Sequence, residues 1–398
     1  MKTGMMYRKF KADQIFTGEG MAPAGSVLIT SPEGIILDLI LEQDAGDEIE
    51  NAGYLLCPGF INAHCHLELS HLKNQVSPGK GLVNFLLDVV GKRDFEPTVI
   101  LDASQQAEKE MYNAGIVAVG DICNTTDTLE VKSKSRIDWS NFIEVLSFSD
   151  EKANDRISHY QEVLKAFRLH EEIPTGDDPV YRSNLVPHAP YSISPKSFRM
   201  INELTSRQVI SIHNQETPGE DELYKTGTGD FLRFLSFFGL QVSPFPITGN
   251  SSIRSVLPYF TERQTILLIH NTFMPETDMA FADAFAAESG LSLFYCFCPN
   301  ANLYIENTLP PIRQFLNGNR KIVLGTDSYS SNYQLSIAEE IRTLQKNFPD
   351  IPLETFLQWA TLNGAKALKR DAKLGSFSKG KQPGILELNK ELKPNRLL

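Results

Sequence analysis

Two histidines separated by one residue stand at the end of an apolar run and could bind one metal ion together. His64 and His66 follow residues 54–63, which read YLLCPGFINA. In a β-strand, side chains at positions i and i+2 point to the same face, so both imidazoles can reach one ion. This spacing also arises by chance, so the pair gains weight only from further metal-binding side chains later in the chain.

Other side chains that bind metals or transfer protons stand at the ends of later apolar segments. They are His188, His213, His270 and Asp327, at the ends of the segments 182–187, 209–213, 266–270 and 321–326. Five of the eight histidines are therefore at predicted strand ends, a concentration that a random distribution would rarely produce. The metal ligands predicted from this pattern are three imidazoles and one carboxylate, namely His64, His66, His213 and Asp327. This set suits Zn²⁺, with Fe²⁺ or Mn²⁺ as alternatives that depend on supply.

A metal held in this way would activate water. A bound Zn²⁺ lowers the pKa of its water to about 7 and so gives hydroxide at neutral pH. Asp327 can accept a proton from that water, while His270 is free to orient the hydroxide and stabilise developing charge. Glu216, three residues after His213, is placed to donate a proton to the substrate. The sequence therefore predicts Glu216, His270 and Asp327 as catalytic residues.

Eight apolar segments rich in β-formers must position these side chains. They are 60–66, 116–121, 142–148, 182–187, 209–213, 266–270, 291–297 and 321–326. Helical patterns over 197–207, 335–348 and 353–368 follow some of them. Eight β/α units predict a (β/α)8 TIM-type barrel over residues 58–370, whose active site lies at the carboxyl ends of the strands.

Both ends of the chain read as short strands. Residues 27–30 and 35–40 flank the turn sequence SPEG, which predicts a hairpin. The tail has similar character over 373–388. We therefore expect a small composite β-sandwich domain built from residues 1–57 and 371–398.

Composition restricts the classes of partner. The formal net charge of −11 and the pI of 5.3 argue against nucleic acid or an anionic membrane surface. No run of about 18 uncharged apolar residues and no signal peptide pattern is present. Five scattered cysteines, at positions 57, 65, 123, 296 and 298, favour a reducing cytoplasm over a disulfide scaffold.

Together these motifs resemble the amidohydrolase superfamily, and within it the mononuclear-metal deaminase branch, which includes aminodeoxyfutalosine, adenosylhomocysteine and guanine deaminases and triazine hydrolases. The resemblance is carried by residues 58–68 (PGFINAHCHLE), 187–192 (PHAPYS), 213–216 (HNQE), His270, 298–303 (CPNANL) and 325–328 (GTDS). It implies one catalytic metal on His64, His66, His213 and Asp327, proton handling by Glu216 and His270, and a substrate contact at His188. Relatives often form dimers, so a homodimer is one assembly to expect, although no feature identifies an interface.

Several parts of the sequence depart from the family pattern. Cys65 replaces the usual threonine, and residues 383–385 read PGI where Ala-Asp-Ile or Ala-Asp-Leu is usual. The segment after Asp327 is only partly typical, so the substrate contacts in that segment are not predicted.

The fourth strand, 182–188, lacks the lysine with which binuclear relatives bridge two metals. Its absence favours a single metal.

Glu216 favours hydrolytic deamination of a heteroaromatic ring, because protonation of the ring nitrogen makes the adjacent carbon open to attack. Loss of chloride or an alkylamine, or cleavage of a non-aromatic C–N bond, would use the same groups and remains the alternative. A non-catalytic barrel that only binds is a further alternative, but such proteins typically lose metal ligands.

The sequence predicts the class of the substrate but not its identity. The class is a small heteroaromatic molecule such as an aminopurine nucleoside. Segments 72–85, 227–231 and 252–257 resemble aminodeoxyfutalosine deaminases. Phe85 could stack on a purine, although its spacing from Leu82 and Val89 also fits a core residue. His188 could equally have a structural role at its strand end.

Overall fold

The N-terminal region forms short strands that pair with strands from the C-terminus. In the computed structural model, residues 7–174 and 179–398 are described. The first six strands are Arg8–Lys11 (β1), Gln14–Ile15 (β2), Ser26–Thr30 (β3), Ile36–Leu41 (β4), Glu50–Asn51 (β5) and Leu55–Pro58 (β6). The expected hairpin is present, since β3 and β4 pair antiparallel.

Eight strands lie in the middle of the chain. They are Phe60–Cys65 (β7), Ile116–Cys123 (β8), Asp138–Val145 (β9), Ser183–Pro187 (β10), Val209–Asn214 (β11), Thr265–His270 (β12), Ser292–Phe297 (β13) and Ile322–Leu324 (β14). They form two parallel four-stranded sheets with the orders β10-β9-β8-β7 and β11-β12-β13-β14. Nearly every residue of these strands is buried, as expected for parallel strands covered on both faces.

Backbone contacts join the two parallel sheets at both of their edges. His213 N donates to His188 O over 3.0 Å, next to the contact between β10 and β11. At the other edge, Thr326 N and Asp327 N donate to His64 O over 3.0 and 3.1 Å. The carboxyl ends of β7 and β14 are thereby held together.

The last two strands are Ile385–Leu388 (β15) and Pro394–Arg396 (β16). β15 pairs antiparallel with β6, directly before the first strand of the parallel sheets. The two small sheets have the orders β4-β3-β1-β5 and β16-β15-β6-β2, so one of them contains strands from both ends of the chain.

The helices lie mainly between the strands of the parallel sheets. They are Glu42–Ala45 (α1), Leu82–Lys92 (α2), Pro97–Asn113 (α3), Leu129–Lys134 (α4), Ala153–Arg168 (α5), Pro195–Leu204 (α6), Pro218–Thr226 (α7), Phe231–Phe237 (α8), Ser252–Val256 (α9), Glu276–Ser289 (α10), Pro299–Glu306 (α11), Ile312–Asn317 (α12), Ile337–Asn347 (α13), Leu353–Gln358 (α14) and Gly364–Ala367 (α15). In the described parts of the chain, none of them combines the length and hydropathy that a membrane span requires.

Two expectations about elements need correction. The third strand of the parallel sheets ends at Val145 and not at residue 148, because its pairing with β10 ends there, opposite Pro187, the last residue of β10. Beyond it, Leu146 lines a pocket and Phe148 stacks on Phe238. The segment 353–368 is not one regular α-helix, since a π-helical turn, Trp359–Asn363, separates α14 from α15. A Cβ on Gly364 would lie 2.7 Å from Ile61 Cβ, so this glycine permits the close approach of α15 to β7.

Candidate metal centre and active site

The two histidines of the first motif converge on the carboxylate that follows β14. Nε2 of His64 and Nε2 of His66 lie 3.2 Å apart. Oδ1 of Asp327 is 3.5 Å from the first nitrogen and 3.3 Å from the second. Three ligand atoms from opposite ends of the chain therefore surround one point.

His213 completes this group from the end of β11. Together with His64 and His66 it offers ligand atoms that all lie within 4.8 Å of one another. Its Nδ1 lies 2.8 Å from the carbonyl of His188, and a carbonyl can only accept, so Nδ1 carries the proton. Nε2 of His213 is then the unprotonated nitrogen, the form in which a histidine with such a second partner binds a metal.

Burial keeps these imidazoles in the neutral form that metal binding requires. Burial, and then the neighbouring histidines His213 and His188, lower the pKa of His64 well below its ordinary value. Burial likewise lowers the pKa of His66 and of His213. Nδ1 of His64 is buried without a hydrogen-bond partner among the described residues. Neutral, converging nitrogens beside a carboxylate fit a divalent metal ion of the zinc type.

Asp327 is held in place by its backbone and by one serine. Its φ of 57° lies in the left-handed region, which costs energy for a non-glycine residue and is common at functional sites. Ser331 Oγ donates to Oδ2 over 2.5 Å, which leaves Oδ1 directed at the histidines. Burial opposes ionisation of Asp327, but His66 and His270 outweigh it and lower its pKa.

Glu216 and His270 lie side by side next to the ligand group. Oε1 of Glu216 is 3.5 Å from Nε2 of His270, and both side chains are buried. Burial, and then the nearby Asp327 carboxylate, raise the pKa of Glu216 well above its ordinary value. This shift favours the protonated form of Glu216, in which the carboxyl group can donate a proton.

Asn302 orients the His270 ring from behind. Its Nδ2 lies 3.2 Å from Nδ1 of His270, and an amide NH₂ can only donate, so Nδ1 accepts and Nε2 carries the proton. His270 also has a left-handed backbone, with φ of 69°. Although His64, His270 and Asp327 offer three ligand atoms within 4.8 Å, this tautomer makes His270 a hydrogen-bond donor to the site.

The predicted substrate residues line the same pocket as the ligand group. His66, His188, His213, Glu216, His270 and Asp327 all contribute to its wall, together with Phe85. Nδ1 of His188 lies 2.8 Å from Ser192 Oγ, which donates in turn to Ala189 O over 3.0 Å. His188 Nδ1 therefore donates to the serine, and Nε2 is an acceptor. Burial lowers the pKa of His188 to about 4, so the ring is neutral at pH 7.

Phe85 packs in the core and also faces the pocket. It is partly buried against two apolar clusters, one of which contains Leu82 and the other Val89. It also lines the pocket, together with Leu86 of the same helix.

Two charged residues of the pocket, Glu144 and Arg93, are absent from the site residues predicted from the sequence. Glu144 is buried near the end of β9, and its Oε1 lies 3.8 Å from Nδ1 of His213. A charged residue inside an apolar strand was the available signal, because glutamate is seldom fully buried without a reason. Arg93, directly after α2, also lines the pocket, and no local pattern marks it.

The sequence was compared with protein families and with curated relatives. Residues 55–395 match the amidohydrolase family. The chain is 24% identical over 316 residues to an aminodeoxyfutalosine deaminase of Nitratiruptor sp., covering 79% of this chain and 73% of the relative. It is 24% identical over 371 residues to a 5-methylthioadenosine/S-adenosylhomocysteine deaminase of Pyrococcus horikoshii, covering 89% and 79% of the two chains.

Solved structures show the same fold. The crystal structure of Helicobacter pylori aminofutalosine deaminase in complex with methylthio-coformycin superposes with a TM-score of 0.76 at 22% identity, covering 96% of this chain and 93% of that one. A zinc-bound adenosine deaminase from Xanthomonas campestris gives a TM-score of 0.69 at 20% identity, covering 95% and 83% of the two chains. The fold of these chains is α/β of the TIM-barrel type.

Proposed function

Because this chain belongs to the amidohydrolase family, whose members are metal-dependent hydrolases, we propose that it deaminates an aminated heteroaromatic substrate of the aminopurine nucleoside type. The observation that carries this proposal is the buried Glu216 carboxyl group beside His270 and the ligand group, in one pocket. Curated relatives named as aminodeoxyfutalosine and adenosylhomocysteine deaminases support this substrate class, with aminodeoxyfutalosine as one candidate.

We assign one divalent metal, Zn²⁺ before Fe²⁺ or Mn²⁺, to His64, His66, His213 and Asp327. The convergence of His64, His66 and Asp327 within 3.5 Å supports this ligand set. When bound, the metal lowers the pKa of a water molecule and so supplies the nucleophile at neutral pH.

Glu216 is the proton donor in this reaction. Burial raises the pKa of its carboxyl group and so favours the form that donates a proton to the ring nitrogen. The protonated ring nitrogen withdraws electrons from the adjacent carbon that carries the amino group. His270 presents its Nε2 proton to the reacting atoms, because Asn302 occupies Nδ1. It stabilises the negative charge that develops during attack. Asp327, ionised beside the histidines, accepts one proton of the attacking water and passes it to the amino group, which leaves as ammonia. The added hydroxyl group returns its proton to Glu216 as the carbonyl forms.

His188 and Phe85 are proposed substrate contacts. The unprotonated Nε2 of His188 can accept a hydrogen bond from an amino group or a ring N–H. Phe85 offers a partly buried aromatic face in the pocket wall, on which a heteroaromatic ring can stack.

We further propose that the eight parallel strands close into a (β/α)8 barrel over residues 58–370. Hydrogen bonds across both edges of the two sheets support closure. A composite β-sandwich domain of residues 1–57 and 371–398 is supported by the pairing of β6 with β15.

Five free, buried cysteines agree with a reducing cytoplasm. The homodimer stays a prediction without an identified interface.

Ammonia release by zinc-loaded protein tests the proposed reaction. The substrates would be aminodeoxyfutalosine, adenosine, adenosylhomocysteine, guanine and melamine-type triazines. We expect turnover of an aminopurine nucleoside, abolished in Asp327→Ala, which also loses zinc while its circular dichroism stays native. Metal-loaded protein that releases no ammonia from any of them would refute the proposal.

A further inference from the structure

A lysine of α4 points into the protein and not toward solvent. The side chain of Lys132 is only 4% exposed. Its Nζ lies 2.5 Å from Asp121 Oδ2, 2.9 Å from Asn141 Oδ1 and 3.0 Å from Cys123 Sγ. A buried ammonium group costs free energy unless an opposite charge is paired with it. Asp121, whose side chain is fully buried, supplies that charge.

Aromatic rings enclose the same ammonium group. Nζ of Lys132 lies 5.2 Å from the ring centroid of Trp139 and 5.1 Å from that of Phe167. Both rings attract the cation and exclude water from it. Asn141, the third polar partner, is itself held because its Nδ2 donates to Ser183 Oγ over 3.0 Å. Lys132 is therefore fixed from several sides, and it fixes Oδ2 of Asp121 in turn.

The other carboxylate oxygen of Asp121 reaches the backbone beside the metal ligands. Oδ1 accepts a hydrogen bond from Leu67 N over 2.8 Å. Leu67 directly follows His66 and begins the short 3₁₀ helix Leu67–Leu72. Asp121 also lies opposite Cys65, which precedes His66, in the pairing of β7 with β8. Asp121 is thus placed against both chain neighbours of His66.

His66 lies between two regular elements. β7 ends at Cys65, and the 3₁₀ helix begins at Leu67. The hydrogen bond from Leu67 N to Asp121 therefore fixes the backbone directly after this ligand. A carboxylate is a stronger acceptor for a backbone N–H than a neutral group. Loss of a partner that orients a ligand typically lowers metal affinity or activity about 10- to 100-fold.

We propose that Asp121 is a positioning residue for His66, and that Lys132 is the counter-charge that holds Asp121 in place. This inference rests on the proposed function, which makes His66 a metal ligand, and deepens it. The path leads from Lys132 Nζ through the Asp121 carboxylate to Leu67 N and so to the imidazole. Asp121 and Lys132, both in the described part of the chain, do not line the pocket.

The first test measures metal binding in Asp121→Asn. The amide keeps an oxygen that can accept from Leu67 N but loses the charge that pairs with Lys132. We expect the zinc dissociation constant, measured by chelator competition, to rise about 10- to 100-fold. The visible absorption of the cobalt-loaded protein, which reports the geometry of the ligands, should shift. With saturating zinc, kcat should fall and KM should stay nearly unchanged, because neither residue lines the pocket.

A double variant separates positioning from stability. Asp121→Asn leaves Lys132 as an unpaired buried charge, which destabilises the fold. Asp121→Asn with Lys132→Met removes both charges, so it should regain stability in urea unfolding while zinc binding stays weak. This variant also carries the test if the single variant does not fold. Recovery of wild-type zinc affinity in the double variant would overturn the proposal.

Asp138→Asn is the matched control. Asp138 pairs with Arg182 over 2.5 Å and with Arg370 over 3.2 Å, but it is the first residue of β9, at the end of the strand away from the metal ligands. We expect this variant to lose stability and to keep the zinc affinity and cobalt spectrum of wild type. Zinc affinity and spectrum in Asp121→Asn equal to those of the control would refute the role of Asp121.

Nuclear magnetic resonance of the metal-free protein separates this inference from the proposed function. With ¹⁵N-labelled histidine, the ring signals of His66, assigned through His66→Gln, should shift in Asp121→Asn and not in Asp138→Asn. If they shift while wild type binds no zinc, the metal assignment is refuted and Asp121 keeps its positioning role. If wild type binds zinc and releases ammonia but the His66 signals do not shift, only the role of Asp121 is refuted.

Discussion

Asn62 and Thr326 form two hydrogen bonds with each other although 264 positions separate them in the sequence. Asn62 Nδ2 donates to Thr326 Oγ1 over 2.8 Å, and Thr326 N donates to Asn62 Oδ1 over 3.0 Å. Asn62 precedes His64 by two residues, and Thr326 directly precedes Asp327. This reciprocal pair therefore sets the position of the histidine motif relative to the carboxylate.

Glu216→Gln is expected to keep the metal and lose turnover. The amide is close in shape to the carboxyl group but cannot donate a proton to a ring nitrogen, so kcat should fall by about 10²- to 10⁴-fold. Zinc content by atomic absorption should equal that of wild type. Near-normal kcat for an aminopurine nucleoside would show that another group delivers the proton.

His270→Asn is expected to lower kcat strongly while zinc stays bound. Nδ1 of His270 faces Asn302, so its Nε2 is a donor and the metal does not depend on it. Zinc content and kcat are measured together, and loss of zinc in this variant would instead make His270 a ligand. Asn302→Leu serves as the companion variant, because loss of the Nδ1 partner should change the pH profile of kcat and leave the zinc content unchanged.

Glu220→Gln should flatten the dependence of stability on pH. Burial raises the pKa of Glu220 from 4.5 to about 8, against smaller opposing effects of Ser252 and Gln215. The folded state then binds more protons than the unfolded state between these values, so this group makes the free energy of unfolding fall as pH rises from about 4.5 to about 8. Its Oε2 has no partner among the described residues, so an amide nitrogen at this position breaks no existing hydrogen bond.

Urea unfolding at about pH 5 and about pH 8 measures this effect as the difference between variant and wild type. We expect Glu220→Gln to gain stability relative to wild type at the higher pH. Glu203→Gln, at an exposed position of α6, controls for the loss of one negative charge. An equal difference at both pH values would show that Glu220 does not titrate in this range.

Gly325→Ala should disturb the metal centre through packing alone. An added Cβ would lie 2.8 Å from Cβ of His64 and 3.0 Å from Cys296 Sγ. Relief of this clash must move the strand that carries His64, and we expect a loss of about 1–3 kcal/mol in the free energy of unfolding and weaker zinc binding. Gly20→Ala, where nothing lies within 4 Å of an added Cβ, is the matched control. Equal zinc affinity in both variants would contradict the prediction.

Much of the fold is set by local patterns in the sequence. Each of the eight predicted central segments contains a strand, because apolar, β-branched runs bounded by turn residues have few other stable conformations. Boundaries depend on more than the run itself: the third of these strands ends at Val145 because its partner strand β10 ends opposite it, at Pro187. Likewise, a π-helical turn interrupts the predicted helix 353–368, a change in hydrogen bonding that residue spacing does not reveal.

Local sequence was enough to identify which residues could be metal ligands, because the i, i+2 spacing of His64 and His66 and the place of each polar group at a strand end are local properties. Only the folded chain shows that Asp327 reaches both histidines, that Asn302 assigns the proton on His270, and that Arg93 joins Glu144 in one pocket. These relationships depend on which strands and loops become neighbours. Burial of the whole core and hydrogen bonds between distant strands determine which elements become neighbours. No short segment of the chain determines this by itself.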